Sequence, residues 1–152
     1  MNKTVTRVAL ACMTAGACWA GASYAQFAKP DDAIAYRQSA LTLIASHFGR
    51  MAPVMKGQAD FNADQIKANV AVLKTLSTLP WPAFGEGMQG GNARPEVWSD
   101  AQGFKQAQDK FKAGVEQLSA AADTGDLARV RAAFGDTAAT CKACHDSYRQ
   151  KK

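Results

Sequence analysis

The chain has 152 residues, with 18 lysines and arginines against 13 aspartates and glutamates, and a formal charge of +5. So small an excess is no argument for a nucleic-acid partner. The apolar content leans on alanine rather than valine, which favours helix, and the length suits one domain with one core.

The chain opens with Lys3 and Arg7 and no acid, an apolar stretch from Val8 to Trp19, and the small-x-small cleavage signal Ser23-Tyr24-Ala25. Residues 1–25 therefore read as a secretory signal peptide and 26–152 as a single domain. Thr14 and Gly16 break an apolar run already too short to span a bilayer, so no membrane insertion is expected. Cys18 invites a lipoprotein reading, but Ala15 stands where an aliphatic residue is expected. Export points to a bacterial-type periplasm. Loss of Lys3 and Arg7, with no acid, lowers the formal charge from +5 to +3.

The first helical segment runs from Pro30 to about Lys56, with Ile34, Arg37, Leu41, Ile44, Phe48, Met51 and Met55 along one face. Pro30 suits its first turn, Asp31 and Asp32 suit its dipole and Gly57 its close, while Pro53 should disturb the final turns. The second segment starts at Asn62, with Gln65 completing a capping box and Phe61 placed to staple onto Ile66. Its stripe continues through Val70, Leu73 and Leu76 until Pro80 and Pro82 end it.

Between Leu79 and Ser99, three prolines and the run Gly85-Glu86-Gly87-Met88-Gln89-Gly90-Gly91 predict a long irregular loop. These glycines are no phosphate cradle, since no buried strand precedes them and no Lys-Ser/Thr follows. The third segment starts at Ser99, with Gln102 three residues on, and carries Phe104, Phe111, Val115 and Leu118. Gly125 separates it from the fourth, whose stripe is Leu127, Val130, Phe134, Thr137, Cys141, Cys144 and Tyr148. Four such segments without strand-like alternation predict an all-α, up-down-up-down antiparallel four-helix bundle.

Both cysteines of the fourth stripe belong to Cys141-Lys142-Ala143-Cys144-His145, the sequence mark of covalently attached c-type haem. Thiols three positions apart on a helix face one side and can add to two vinyl groups, while the adjacent imidazole comes up beneath the iron. A redox thiol pair or half a zinc site would be the rival. Zinc needs two more ligands, and beyond the leader the chain offers no other cysteine and only one other histidine, His47.

One haem per chain would then replace side chains in the core, near one end of the bundle. Antiparallel packing sets the last turns of the fourth helix beside the first turns of the first, so Leu41 or Ile44 faces His145 across the iron. Neither ligates. Met51 lies about 22 Å beyond that level and reads, with Met55, as a core residue. His47 fails the same test and reads as a packing or surface residue. Met88 sits in the loop that returns to the haem end, but Gly85, Gly87, Gly90 and Gly91 make a poor mount for a ligand. Five-coordinate iron is the expectation.

The segments Tyr36-Arg37-Gln38-Ser39-Ala40-Leu41, Ala45-Ser46-His47-Phe48-Gly49-Arg50, Leu79-Pro80-Trp81 and Cys141 to Arg149 resemble cytochrome c′, in particular its Alcaligenes type, and the resemblance spans residues 26–152. It implies Cys141 and Cys144 as thioether links to haem c, His145 as the proximal metal ligand and Leu41 as the apolar shield of the distal face. It also implies Trp81 and Phe84 as distal walls, Arg37 against a haem propionate with Gln38 nearby, and Arg149 beside the proximal face. Ile44 stands where close relatives often carry methionine. A homodimer packed through the first two helices is implied as well, with Leu43 and Val72 as candidate contacts.

On this reading an open iron position under an apolar lid takes nitric oxide or carbon monoxide and disfavours larger or anionic ligands, in scavenging or transport. The rival is a periplasmic electron-transfer cytochrome with six-coordinate haem, serving an unidentified periplasmic redox partner. An enzyme is not expected, because Leu41 offers no acid-base group where a distal histidine or arginine would work.

Overall fold

A computed structural model describes residues 26–151; the leader and its Cys18 lie outside the described residues. Pro30 opens the first helix, α1 (Pro30–Met55), with Asp31 and Asp32 in its first turn, where the positive end of the dipole favours them. The helix continues through Pro53 to Met55, close to the expected end at about Lys56. It closes at Gly57, whose φ of +71° lets its N–H reach the Val54 carbonyl at 3.0 Å. Helix α2 (Ala63–Leu76) begins as predicted, with the Asn62 side chain accepting from the Gln65 N–H at 2.9 Å. It ends at Leu76, ahead of the prolines, in a turn where the Ser77 N–H donates to the Leu73 carbonyl.

The stretch expected to be irregular is partly ordered. Trp81–Phe84 forms a 3-10 turn and Glu96–Ser99 a single helical turn, α3, started by Pro95. A proline that ends one helix is equally suited to begin the next, since its missing N–H has no partner to lose in a first turn. Helix α4 (Ala101–Asp123) is capped by Asp100, which accepts from the Gly103 N–H at 3.1 Å. Ser99 is not the cap, because it already belongs to α3. Helix α5 (Leu127–Tyr148) is capped by Asp126.

The four long helices form a bundle. Its core joins Ile44, Met51 and Met55 of α1 to Ile66, Val70, Leu73 and Leu76 of α2, Phe111, Val115, Leu118 and Ala122 of α4, and Val130 of α5. Each fully buried aliphatic side chain contributes about 1.5–3 kcal/mol. Helices α4 and α5 come close where the Thr137 hydroxyl donates to the Gly114 carbonyl at 3.0 Å. A Cβ on Gly114 would sit 3.3 Å from that hydroxyl.

Helices α1 and α5 meet differently. Phe48 stacks on Phe134, with centroids 4.1 Å apart and planes within 6°. Towards the start of α1 and the end of α5 both helices line a cavity, and that cavity is the site.

Candidate functional site

A cavity of about 620 Å3 lies there, walled by Arg37, Gln38, Leu41, Ile44 and Phe48 of α1, Trp81 and Phe84 of the 3-10 turn, Phe104 and Phe111 of α4, and Cys141, Cys144, His145, Tyr148 and Arg149 at the end of the chain. Every site residue read from the sequence is on this wall. His47 and Met88 are not, nor are Met51 and Met55, which are core residues. His47 turns instead to α2, where its Nδ1 lies 2.8 Å from Asn69 Oδ1 and its carbonyl accepts from Asn69 Nδ2 at 2.6 Å. Leu41 and Ile44 both face the cavity; Ile44 is buried and Leu41 half-buried.

The three-residue step from Cys141 to Cys144 puts both sulfurs on one face of α5. Burial pushes both thiols above their ordinary value, Cys144 to about 11 with the neighbouring Cys141 adding to the effect. Thiols disfavoured as thiolates are a poor match for a reactive redox pair. Among the described residues no group of three or more His, Cys, Asp or Glu is placed to hold a metal ion.

His145 is pushed below its usual pKa, first by partial burial and then by the Arg149 charge, with Asp146 opposing. The neutral imidazole, the form that donates a lone pair to a metal, is therefore favoured.

Another part of the wall is aromatic. Trp81 lies 6.4 Å from Phe84, 6.3 Å from Phe104 and 6.1 Å from Phe111, ring to ring, and its indole N–H is tied to the Ser77 carbonyl at 2.6 Å. Phe104 and Phe111 read in the sequence only as core positions of their helix. Their place on this wall depends on how α4 packs, which periodicity does not specify.

Arg37 is only 2 % exposed. Its buried charge finds partners in the main chain: Nη1 donates to the carbonyls of Ala83 at 2.7 Å and Met88 at 2.6 Å, and Nη2 to that of Gly90 at 2.8 Å. The guanidinium also lies 4.6 Å from the Phe84 ring centroid and 5.7 Å from that of Trp98. One side chain thus pins the glycine-rich loop, a role the sequence reading missed. The signal was available: an arginine on an apolar stripe, in a chain whose long loop needs donors for its carbonyls. Gln38 stays at the exposed rim, where the loop comes so close that a Cβ on Gly91 would be 2.9 Å from its Nε2.

Arg149 lies one helical turn beyond His145, its N–H donating to the His145 carbonyl at 3.2 Å, but it is the residue on which α5 ends: its own backbone is extended, with φ −112° and ψ 135°. The chain is diverted by an antiparallel bridge between Ala93 and Arg149. In it the Arg94 N–H donates to the Tyr148 carbonyl at 3.0 Å and the Gln150 N–H to the Asn92 carbonyl at 2.9 Å.

The volume falls within the roughly 300–1,000 Å3 of cofactor sites. Paired thiols and the His145 imidazole on one wall, with apolar side chains lining the rest, fit a haem attached through its vinyl groups. This defines a c-type cytochrome built on a helical bundle.

Comparison with known proteins agrees. Residues 32–149 match the family described as Cytochrome C′. Cytochrome c′ of Alcaligenes xylosoxydans xylosoxydans is 70% identical over 127 residues, covering 84% of this chain and all of that one, and cytochrome c′ of Rubrivivax gelatinosus is 54% identical over 129 residues. A solved nitric oxide complex of a leucine-to-alanine mutant of cytochrome c prime from Alcaligenes xylosoxidans superposes with a TM-score of 0.82 at 68% identity, covering 84% of this chain and all of that one. The chain belongs to the cytochrome c′ family, and its cofactor is covalently attached haem c.

Proposed function

We propose that this is a periplasmic haem protein that binds nitric oxide and carbon monoxide, in scavenging or transport, rather than an enzyme. Haem c would supply an iron to which a diatomic ligand attaches. Cys141 and Cys144 hold the group in place and His145 is its protein ligand, favoured as the neutral imidazole by its surroundings. Leu41, with Ile44 behind it and Trp81 and Phe84 beside it, excludes water and bulky or charged ligands from the distal face. Arg37 and Gln38 lie where the propionates would emerge, Arg37 retaining donors beyond the three it commits to loop carbonyls. Arg149, also on the cavity wall, is a further hydrogen-bond donor.

One observation carries this reading: among the described residues, His145 is the only histidine on the cavity wall, and no methionine joins it. An electron-transfer cytochrome would normally have a second strong ligand, and an enzyme would need an acid-base group near Leu41. Solved relatives that hold nitric oxide support the choice of ligand.

The leader Met1–Ala25 would direct export, and no helix among the described residues is long and apolar enough to cross a membrane. Two copies would pair through α1 and α2, where Leu43 and Val72 remain 49% and 43% exposed. The visible spectrum of the purified protein, with and without nitric oxide, is the test. A high-spin spectrum that changes on adding the gas is expected; a low-spin spectrum unresponsive to it would return the protein to electron transfer.

A further inference from the structure

Three hydrogen-bonded ties converge on the last turn of α5, the turn that carries His145. The Tyr148 hydroxyl donates to Asp100 Oδ2 at 2.7 Å, and the other oxygen of that carboxylate caps α4 through the Gly103 N–H. The Tyr148 carbonyl accepts from the Arg94 N–H, and the Arg94 side chain reaches towards the Asp146 carbonyl at 3.5 Å. The Tyr148 ring lies edge-on to Phe104, with centroids 5.2 Å apart, and itself lines the cavity.

Gly103 is what permits the first tie. A Cβ there would fall onto the Asp100 carboxylate and come within 2.6 Å of the Tyr148 hydroxyl oxygen. Glycine in the first turn of a long helix is otherwise a poor choice, since alanine is favoured by helix propensity. Its presence is explained by the space that the tyrosine and the carboxylate occupy.

We propose that Tyr148, anchored on Asp100 in the space left by Gly103, is a positioning residue. It fixes the rotation of the last turn of α5, and so the angle at which His145 meets the iron and the point at which Arg149 leaves the helix. Without the tie, the hydrogen bonds that reach that turn from outside the helix would all come from residues 92–94, and a terminal turn held at one edge frays readily. The inference rests on the reading of His145 as the haem ligand.

The test is the iron–histidine stretching band in the resonance Raman spectrum of the ferrous holoprotein, together with amide exchange at Arg94 and Gln150. In Tyr148→Phe, which keeps the ring against Phe104, the band should shift or split and both amides should exchange roughly tenfold faster. Gly103→Ala should do the same, although helix propensity alone would leave it more stable. Asp100→Asn, which keeps both an oxygen acceptor and a capping side chain, should retain the parent's band. An unmoved band in Tyr148→Phe overturns the proposal while leaving the assignment of His145 standing. Absence of the band from the parent protein removes that assignment, and the proposal with it.

Discussion

On the α1 side the cavity is bounded by Leu41, Ile44, Phe48, Trp81 and Phe84, held in place by side chains packed on side chains. At the end of α5 it is bounded by Cys141 to Arg149, held by main-chain bonds to residues 92–94 and by the Tyr148–Asp100 pair. Packing is non-directional and tolerates a swap of similar volume, whereas a hydrogen-bonded strap fixes position and fails when one donor is lost. On the function proposed, the wall that would select by size is built by packing. The wall that would orient a ligand is built by directional bonds.

Arg37 breaks the division, because it supports the packed wall through polar bonds, and its removal should have the largest effect. Arg37→Ala leaves the carbonyls of Ala83, Met88 and Gly90 without their donor, and should cost about 3 kcal/mol or more in denaturant unfolding of the holoprotein. Leu41→Ala tests the packed wall directly. A half-buried leucine should cost about 2 kcal/mol, the low end for such truncations, and carbon monoxide should bind faster in stopped flow.

Arg149→Ala tests the strapped wall. It should change the rate or endpoint of the nitric oxide reaction and leave carbon monoxide binding nearly unaltered; an equal response to both gases would make Arg149 a solvated charge only. Met88→Ala should leave the haem spectrum unchanged, since the loop uses the Met88 carbonyl rather than its side chain.

The smallest effect concerns pH. Hydrogen bonding to Asp100 raises the Tyr148 phenol from an ordinary 10 to about 12. Its contribution to stability is therefore complete below pH 10 and is lost as pH rises towards 12, while Tyr148→Phe should flatten that limb of the alkaline unfolding curve.

The same contrast decides what the sequence made legible. The packed half follows from periodicity: the stripe from Ile34 to Met55 gives α1, and Asn62 with Gln65 marks the start of α2, because both signals are local. The end of α5 depends on Ala93 meeting Arg149 and on Asp100 meeting Tyr148, pairs remote in sequence with no repeating pattern. Spacing alone therefore placed Arg149 one turn after His145 but not the end of the helix at that residue. Ser99 failed as a cap for a related reason. Its Ser-x-x-Gln pattern is genuine, but Pro95 had already begun a turn that absorbed it.

Helix α4 carries a lesson for anyone stabilising this protein by substitution. Replacing helical glycine with alanine ordinarily gains up to about 1 kcal/mol. A methyl group added at Gly135 of α5 would meet nothing within 4 Å, so that position should obey the rule. Gly103 and Gly114 should not, because each occupies a close approach to α5, at Tyr148 and at Thr137. Propensity-guided engineering would therefore choose correctly on α5 and wrongly on α4, loosening the seam between them at both points.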